Sequence, residues 1–288
     1  RSVAIGYQAL VAQAPSSNAD VYNTAVGFNA GAAVTTGTSN TLIGGLAGQA
    51  ITTGTYNDAL GRSSLYTNTT GAYNVAIGSS SLQNNTTAND NTGVGYKALY
   101  ANTTGAQNTA LGAYSLDAST TGLDNTALGT YSLGANTTAS YNTAVGRSAL
   151  TSNTTGASNT AVGHKAGYSN TTATEMTAVG IEALYSNTTG NTNSALGRRA
   201  LYSTTTGVNN AGFGARTLYT NTTGSYNVSI GMDSLYSNTT ASNNTAVGNL
   251  ALYANTTGTG NVAVGANALD ANTTAGRNTA VGYNSLTA

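Results

Sequence analysis

The sequence predicts an all-β fold, a parallel β-solenoid of about 17 coils with 17 residues in each coil. The first support is a glycine, here the repeat glycine, that recurs every 17 residues from Gly27 to Gly282 without one insertion or deletion. Loops of variable length would lose this spacing, whereas stacked identical coils require it. The second support is composition, because Gly, Asn and Thr dominate the repeat, disfavour helix interiors and leave no apolar stripe at helical spacing.

Two columns are consistently large and apolar when the coils are aligned as Asn-Thr-Ala-Val-Gly-x-x-Ala-Leu-Tyr-x-Asn-Thr-Thr-Gly-x-x. The pre-glycine column, directly before the repeat glycine, includes Val26, Ile43, Leu60, Ile77, Phe213 and Val281, and Ile5 before Gly6 extends it backwards. The leucine column, four residues after the glycine, includes Leu10, Leu65, Leu82, Leu99 and Leu116, with Gly31, Gly48 and Gly167 as replacements. Large apolar side chains are usually buried, so we expect both columns to form the core.

Small residues fill the columns two before and three after the repeat glycine, which indicates close approach of another surface. Typical members are Ala76, Ala98, Ala144 and Ala183, and the larger exceptions are Leu42 and Thr217. We expect these columns to be contact faces between chains.

Asparagine stands four residues before the repeat glycine in almost every coil, interrupted by Ser2 and Met176. Identical amides stacked coil on coil can hydrogen-bond along the axis, so this asparagine column predicts a ladder. The Thr-Thr pair that follows in each coil is expected to be a β-branched strand ending in a turn. Each coil would then hold two or three strands of roughly three to five residues, stacked at roughly 4.8 Å.

The array is interpreted as one domain, 1–288, with an irregular first coil, 1–26, and regular 17-residue repeats over 27–288. The interval between Gly6 and Gly27 is 21 residues, so the first coil carries a four-residue insertion. We expect it to bulge through Ala-Pro-Ser-Ser at 14–17 and to make a lateral contact. Val34 and Ile51, where Asn is usual, suggest a different cross-section in the coils nearby.

Charged residues make up 6% of the chain, and nine positive side chains balance nine negative ones. Nucleic acid and anionic membranes attract basic proteins, so we expect no nucleic-acid partner for this chain of zero net charge. No apolar run reaches the length of a membrane span, so we expect no membrane insertion by this segment. The chain has no cysteine, which excludes disulfides and thiolate metal sites, so stacking must hold the coils together.

Short segments of the repeat resemble the motif of YadA-type heads of trimeric autotransporter adhesins, to which related phage tail fibres are also similar. They are Ser-Val-Ala-Ile-Gly at 2–6, Asn-Val-Ala-Ile-Gly at 74–78, Asn-Val-Ser-Ile-Gly at 227–231 and Asn-Val-Ala-Val-Gly at 261–265. The resemblance implies a left-handed β-roll, a homotrimeric rod and an extracellular location on a cell surface or virion fibre. The added Asn-Thr-Thr-Gly segment makes this repeat longer than that family's usual unit and suggests a third side to the coil.

Catalytic chemistry has little support, and we interpret the chain as a non-enzyme without a cofactor or metal. The sole histidine, His164, occupies a variable column, so a catalytic Ser-His-Asp site could occur at most once and nothing places an acid beside it. Asp90, Asp117 and Asp124 lack the dense Asp/Gly spacing of calcium-binding β-rolls and are interpreted as surface carboxylates.

Tyrosine often stands five residues after the repeat glycine, where rings of consecutive coils can stack. The members of this tyrosine column are Tyr66, Tyr100, Tyr168, Tyr185, Tyr202, Tyr219, Tyr236 and Tyr253. Packing between chains or shielding of coil edges is the favoured interpretation, and a glycan-binding aromatic strip is the alternative. The Asn-Thr-Thr triplets are formally glycosylation sequons that turn chemistry also explains, and an ice-binding Thr/Asn array is a further alternative.

We expect the chain to be an extracellular structural fibre or adhesin segment of a bacterial or phage surface filament, one that projects or mediates attachment. A host-surface glycan or protein would be its receptor. Each coil supplies few large inward side chains, so partners are expected: two further copies in a homotrimer and, because the chain starts and stops within a repeat, axial continuation into more coils.

Overall fold

The computed structural model describes residues 1–14 and 20–287, and every regular element in them is a three-residue β-strand. The strands are β1 Val3–Ile5, β2 Thr24–Val26, β3 Thr41–Ile43, β4 Asp58–Leu60, β5 Val75–Ile77, β6 Thr92–Val94, β7 Thr109–Leu111, β8 Thr126–Leu128, β9 Thr143–Val145, β10 Thr160–Val162, β11 Thr177–Val179, β12 Ser194–Leu196, β13 Ala211–Phe213, β14 Val228–Ile230, β15 Thr245–Val247, β16 Val262–Val264 and β17 Thr279–Val281. The described residues contain no helix. The chain forms two compact units, Arg1–Asn142 with β1–β8 and Thr143–Ala288 with β9–β17.

Each unit is a parallel β-solenoid, as the glycine period predicts. Strands of successive coils pair in parallel and their partners are one repeat apart, as in Val94 with Leu111 and Val162 with Val179. The first pair joins Val3 to Thr24, so the inserted residues lie in the connection and leave the register intact. Of the bulge expected at 14–17, residues 15–17 lie outside the described residues.

The coil contains one strand, not the two or three that the sequence predicts. The Thr-Thr pair forms a bend, although its backbone still bonds to the next coil: the Thr52 N–H donates to the Thr69 carbonyl over 2.9 Å. The Thr52 hydroxyl donates to the same carbonyl over 3.2 Å. The first Thr therefore stabilises coil stacking without strand geometry, and the strand prediction for this segment is wrong.

The repeat glycine is required by both conformation and space. Its φ lies between +125° and +145° in every coil, a region that side chains strongly disfavour. A Cβ on Gly95 would lie 2.6 Å from the carbonyl carbon of Gly112 in the next coil. Successive coils thus meet at this corner closely enough that only glycine fits.

The core consists of the leucine column and the two small columns. Leu82, Leu150 and most of their equivalents are fully buried, as predicted. Ala76, Ala98, Ala144 and Ala183 are also 0% exposed, so the prediction that small columns are contact faces between chains is wrong. They line the inside of their own coil, where the middle residue of each strand points at the leucine of the preceding coil: a Cβ on Gly93 would lie 3.4 Å from Leu82 Cγ.

The pre-glycine column faces outward, which corrects its assignment to the core. Ile43, Leu60, Ile77 and Phe213 are each about two-fifths exposed, and Val26 is half-buried. In a three-residue strand, alternation sends the middle side chain inward and the flanking ones outward. The thin coil accepts the small middle residue, so the larger third residue, which includes Ile5 and Val281 in the terminal strands, is left outside.

The irregular coils compensate one another. Leu42 is a large middle-strand residue, and it fills the space left by Gly31 in the preceding coil and by Gly48 in its own coil: a Cβ on these glycines would lie 2.6 and 2.7 Å from its methyl groups. Val34 and Ile51 are 0% exposed in the same region. In the second unit the Met176 methyl group lies 2.7 Å from where a Gly167 Cβ would be. Each missing leucine is therefore replaced by a bulky neighbour.

The asparagine column forms the predicted ladder. Asn57 Nδ2 donates to Asn40 Oδ1 over 3.1 Å and to the Gly71 carbonyl over 2.9 Å. The Asn of the Asn-Thr-Thr triplets forms a second asparagine ladder, which sequence reasoning interpreted only as turn chemistry. Asn85 Nδ2 donates to Asn68 Oδ1 over 2.8 Å, and Asn68 Nδ2 donates to the same Gly71 carbonyl. Two buried amide ladders thus share a row of carbonyl acceptors.

Candidate functional surfaces

The outer face of each sheet is formed by the first and third residues of its strands. In the first unit its most exposed large apolar residues, apart from the terminal strand, are Ile43, Leu60, Ile77 and Leu111; in the second they are Val162, Leu196, Phe213, Val228, Ile230, Val264 and Val281. Thr occupies many of the first positions, and Asp58 is the only charged residue on this face in the described strands. Each unit therefore presents a continuous, nearly uncharged apolar ladder to solvent, the type of surface that marks an interaction site.

The tyrosine column stacks in the second unit as predicted. The tyrosine stack comprises Tyr168, Tyr185, Tyr202, Tyr219, Tyr236 and Tyr253. Neighbouring ring centroids lie 5.1–5.3 Å apart, with planes inclined by 5–20°. The rings are half-buried, except for Tyr253 at 38% exposure. Neighbouring rings cover each other's faces, so only the ring edges and the hydroxyl groups face solvent. Sugar rings stack on exposed aromatic faces, and the stack offers no such flat surface along its length.

Charged side chains flank this stack on successive coils. Arg199 Nε lies 2.7 Å from Glu182 Oε2, and Arg216 Nη2 lies 2.6 Å from Asp233 Oδ2. The guanidinium of Arg199 also lies 5.6 Å from the centre of the Tyr202 ring. Burial, followed by the Glu182 charge and the neighbouring rings, raises the pKa of Tyr202, so its phenol stays neutral at physiological pH.

Tyr66 and Tyr100, which the sequence grouped with this column, are outside the stack. The coil between them has Gln83 at this position, so the two rings are not neighbours. No ring contact of Tyr66 occurs among the described residues. Tyr100 instead lies under the Lys97 ammonium, 5.0 Å from its ring centre. Sequence reasoning missed the stacked pair Tyr56 and Tyr73, at 5.2 Å, although both stand five residues before a repeat glycine in adjacent coils.

The triplet asparagines are buried except for Asn272 in the last coil; Asn68, Asn85 and Asn102, for example, are 0% exposed and donate to carbonyl groups. Asn therefore does not contribute to an exposed Thr/Asn array. The second Thr of the pair is exposed in each coil, as at Thr53 and Thr206.

Other chemistry is sparse in the described part of the chain. His164 is half-buried on a turn, and no group of three or more His, Cys, Asp or Glu side chains suited to a metal ion occurs there. The described residues also contain no helix with the length and apolar character of a membrane span. In comparisons with protein-family models and with curated proteins, nothing matches this chain.

Proposed function

We propose that this chain is a structural segment of an extracellular fibre or adhesin on a bacterial or phage surface, and that copies associate through the outer sheet face. The observation that carries this proposal is the apolar ladder on each unit. A ladder repeated at the coil spacing is matched along its length by another copy of the chain, parallel and in register. The motif resemblance supports three copies, left-handed coils and display outside the cell, where the segment projects or mediates attachment.

The outer face also gives the association its driving force. Its apolar side chains are already half-covered by their neighbours, so complete burial of each contributes about 1 kcal/mol. Each unit has several such residues side by side, so their combined burial contributes several kcal/mol to association. The face carries almost no charge, so little charge has to be desolvated. The tyrosine stack lies off the strands, in the turn that follows each repeat glycine.

Light scattering on the purified chain tests the proposal. We expect a mass of about three times the 28.6 kDa of one chain. Leu111→Gln combined with Leu196→Gln places a polar group on the most exposed regular positions of each ladder and should shift the mass toward one chain. Leu123→Gln is the matched control, because Leu123 is 38% exposed but lies outside the strands.

A wild-type chain that stays a dispersed monomer at every concentration and melts cooperatively would overturn the proposal. Equal effects of the control and the double variant would show that general surface polarity, and not the outer face, controls the mass. Unchanged circular dichroism in all variants is required, so that unfolding is not mistaken for dissociation.

A further inference from the structure

We propose that the tyrosine stack of the second unit is a site of oxidative cross-linking, at which tyrosines of successive coils join covalently as dityrosine. This modification would attach coil to coil covalently through side chains, whereas the side-chain contacts between coils are otherwise non-covalent. It is independent of the proposed fibre function.

The stack holds the reacting groups next to each other before any oxidant arrives. Tyr185 and Tyr202 have ring centroids 5.1 Å apart and planes inclined by 9°, and Tyr202 and Tyr219 repeat this at 5.2 Å. Each inner ring has a neighbour on both sides, so a radical formed on any of them has a partner within one ring width. Holding two reactants together in this way replaces a bimolecular encounter with an intramolecular step.

Composition directs one-electron oxidants to tyrosine. The chain has 18 Tyr, no Cys and no Trp, so the side chains that usually react first are missing. Of its two Met residues, Met176 is 1% exposed, while Met232 is 52% exposed and is the main competitor. The stacked rings are only half-buried, which leaves their edges open to a small oxidant.

The reaction balances with hydrogen peroxide as the oxidant and a haem peroxidase as the one-electron mediator. Each of two phenols loses one electron and one proton to give a neutral phenoxyl radical. This neutral product adds no positive charge beside Lys165 and Arg199, whose cationic groups lie within 6 Å of stacked rings. The radicals couple through their ortho carbons, and the two ring hydrogens at the new bond move to the oxygens. The pair has then lost two hydrogen atoms, and the peroxide has become two waters.

Tryptic digestion allows each cross-link to be assigned, because trypsin cuts after Lys165, Arg198, Arg199 and Arg216 and so places Tyr202 in a different peptide from its two neighbours in the stack. Tyr202 is then the only tyrosine of peptide 200–216, while Tyr185 lies in 166–198 and Tyr219 in 217–277. The chain is treated with peroxidase and hydrogen peroxide, denatured, digested and analysed by mass spectrometry. A mixture of isotope-labelled and unlabelled chains separates links within a chain from links between chains.

We expect peptide 200–216 joined to 166–198 and to 217–277, within one chain, at least about tenfold more in the folded than in the denatured protein, because stacking raises the local concentration. Tyr202→Phe keeps a ring in the stack and should remove both products while dityrosine within 217–277 persists. Tyr66→Phe, in the same column without a ring partner, should change neither product.

Exposure without stacking provides the opposing outcome. Tyr283 is 75% exposed and lies in the separate peptide 278–288. If peptide 278–288 cross-links as much as 200–216, or if mixed-isotope products dominate, accessibility or collision controls the reaction and the proposal is overturned. Equal yields from folded and denatured chains would overturn it as well. If the stacked rings pack without coupling, neither joined product forms in the folded protein, and the proposal is overturned as well.

Discussion

Ser119 interrupts the second asparagine ladder of the first unit, and Ser119→Asn is expected to stabilise that unit. Asn85 Nδ2 donates to Asn68 Oδ1, and Asn102 Nδ2 donates to Asn85 Oδ1, both over 2.8 Å. The next coil has Ser119, and there both Asn102 Oδ1 and the Ser119 hydroxyl are buried without a partner. A serine is too short to repeat the contact, so the ladder ends on an unsatisfied acceptor.

The magnitude follows from the groups that become paired. A buried acceptor without a partner costs about 1–3 kcal/mol, and a new buried hydrogen bond contributes about 1 kcal/mol. The new amide would donate to Asn102 Oδ1 and to the Gly122 carbonyl, in the geometry that Asn102 already shows with Asn85 Oδ1 and, over 2.9 Å, with the Gly105 carbonyl. Ordering the longer side chain costs up to about 1 kcal/mol. The net gain in unfolding free energy should be about 1–2 kcal/mol.

Thermal unfolding followed by circular dichroism measures this gain, as a rise in Tm of about 2–4 °C for each kcal/mol in chains of this order of length. Ser119→Asp is the control, because aspartate has the same shape but no amide donor and brings a buried charge. It should lower Tm. A Tm for Ser119→Asn at or below the wild-type value would refute the reasoning, and so would equal stabilisation by Asp.

Two further outcomes are expected. Gly95→Ala should lower the unfolding free energy by about 3 kcal/mol, because a Cβ at φ +135° meets the Gly112 carbonyl. Gly45→Ala is the control and should change it little, because Gly45 has no positive φ and its Cβ would meet nothing within 4 Å. Equal denaturation midpoints of the two variants would contradict this. Burial raises the pKa of Tyr202, and a group with a raised folded-state pKa contributes stability below its unfolded pKa that is lost as pH rises through the folded value. Stability should therefore fall above pH about 10, and less so in Tyr202→Phe, in pH-dependent urea unfolding; an equal fall in both would argue against the shift.

The tyrosine pairs on the surface could be predicted from the sequence, whereas the outer sheet face could not. Rings in equivalent positions of consecutive coils must lie one coil apart, so the tyrosine stack was predictable from spacing, as was the missed pair Tyr56 and Tyr73. The outer face was not, because the sequence marks the pre-glycine column as apolar without showing which side of the strand it occupies. The compensation of Gly167 by Met176 was equally hidden, since it joins positions nine residues apart that meet only across the coil.

The sequence by itself determined the period, the parallel stacking of coils, the buried leucine column and the first asparagine ladder, because each of these follows from identical residues repeated without slippage. Only the tertiary structure decided which strand residues face inward. A three-residue strand alternates in either sense, and size alone favours burying valine over alanine. The coil is so thin that the leucine of the preceding coil already occupies the interior opposite the strand. Alanine therefore lies inside, and the larger apolar residue beside each repeat glycine is left on the surface.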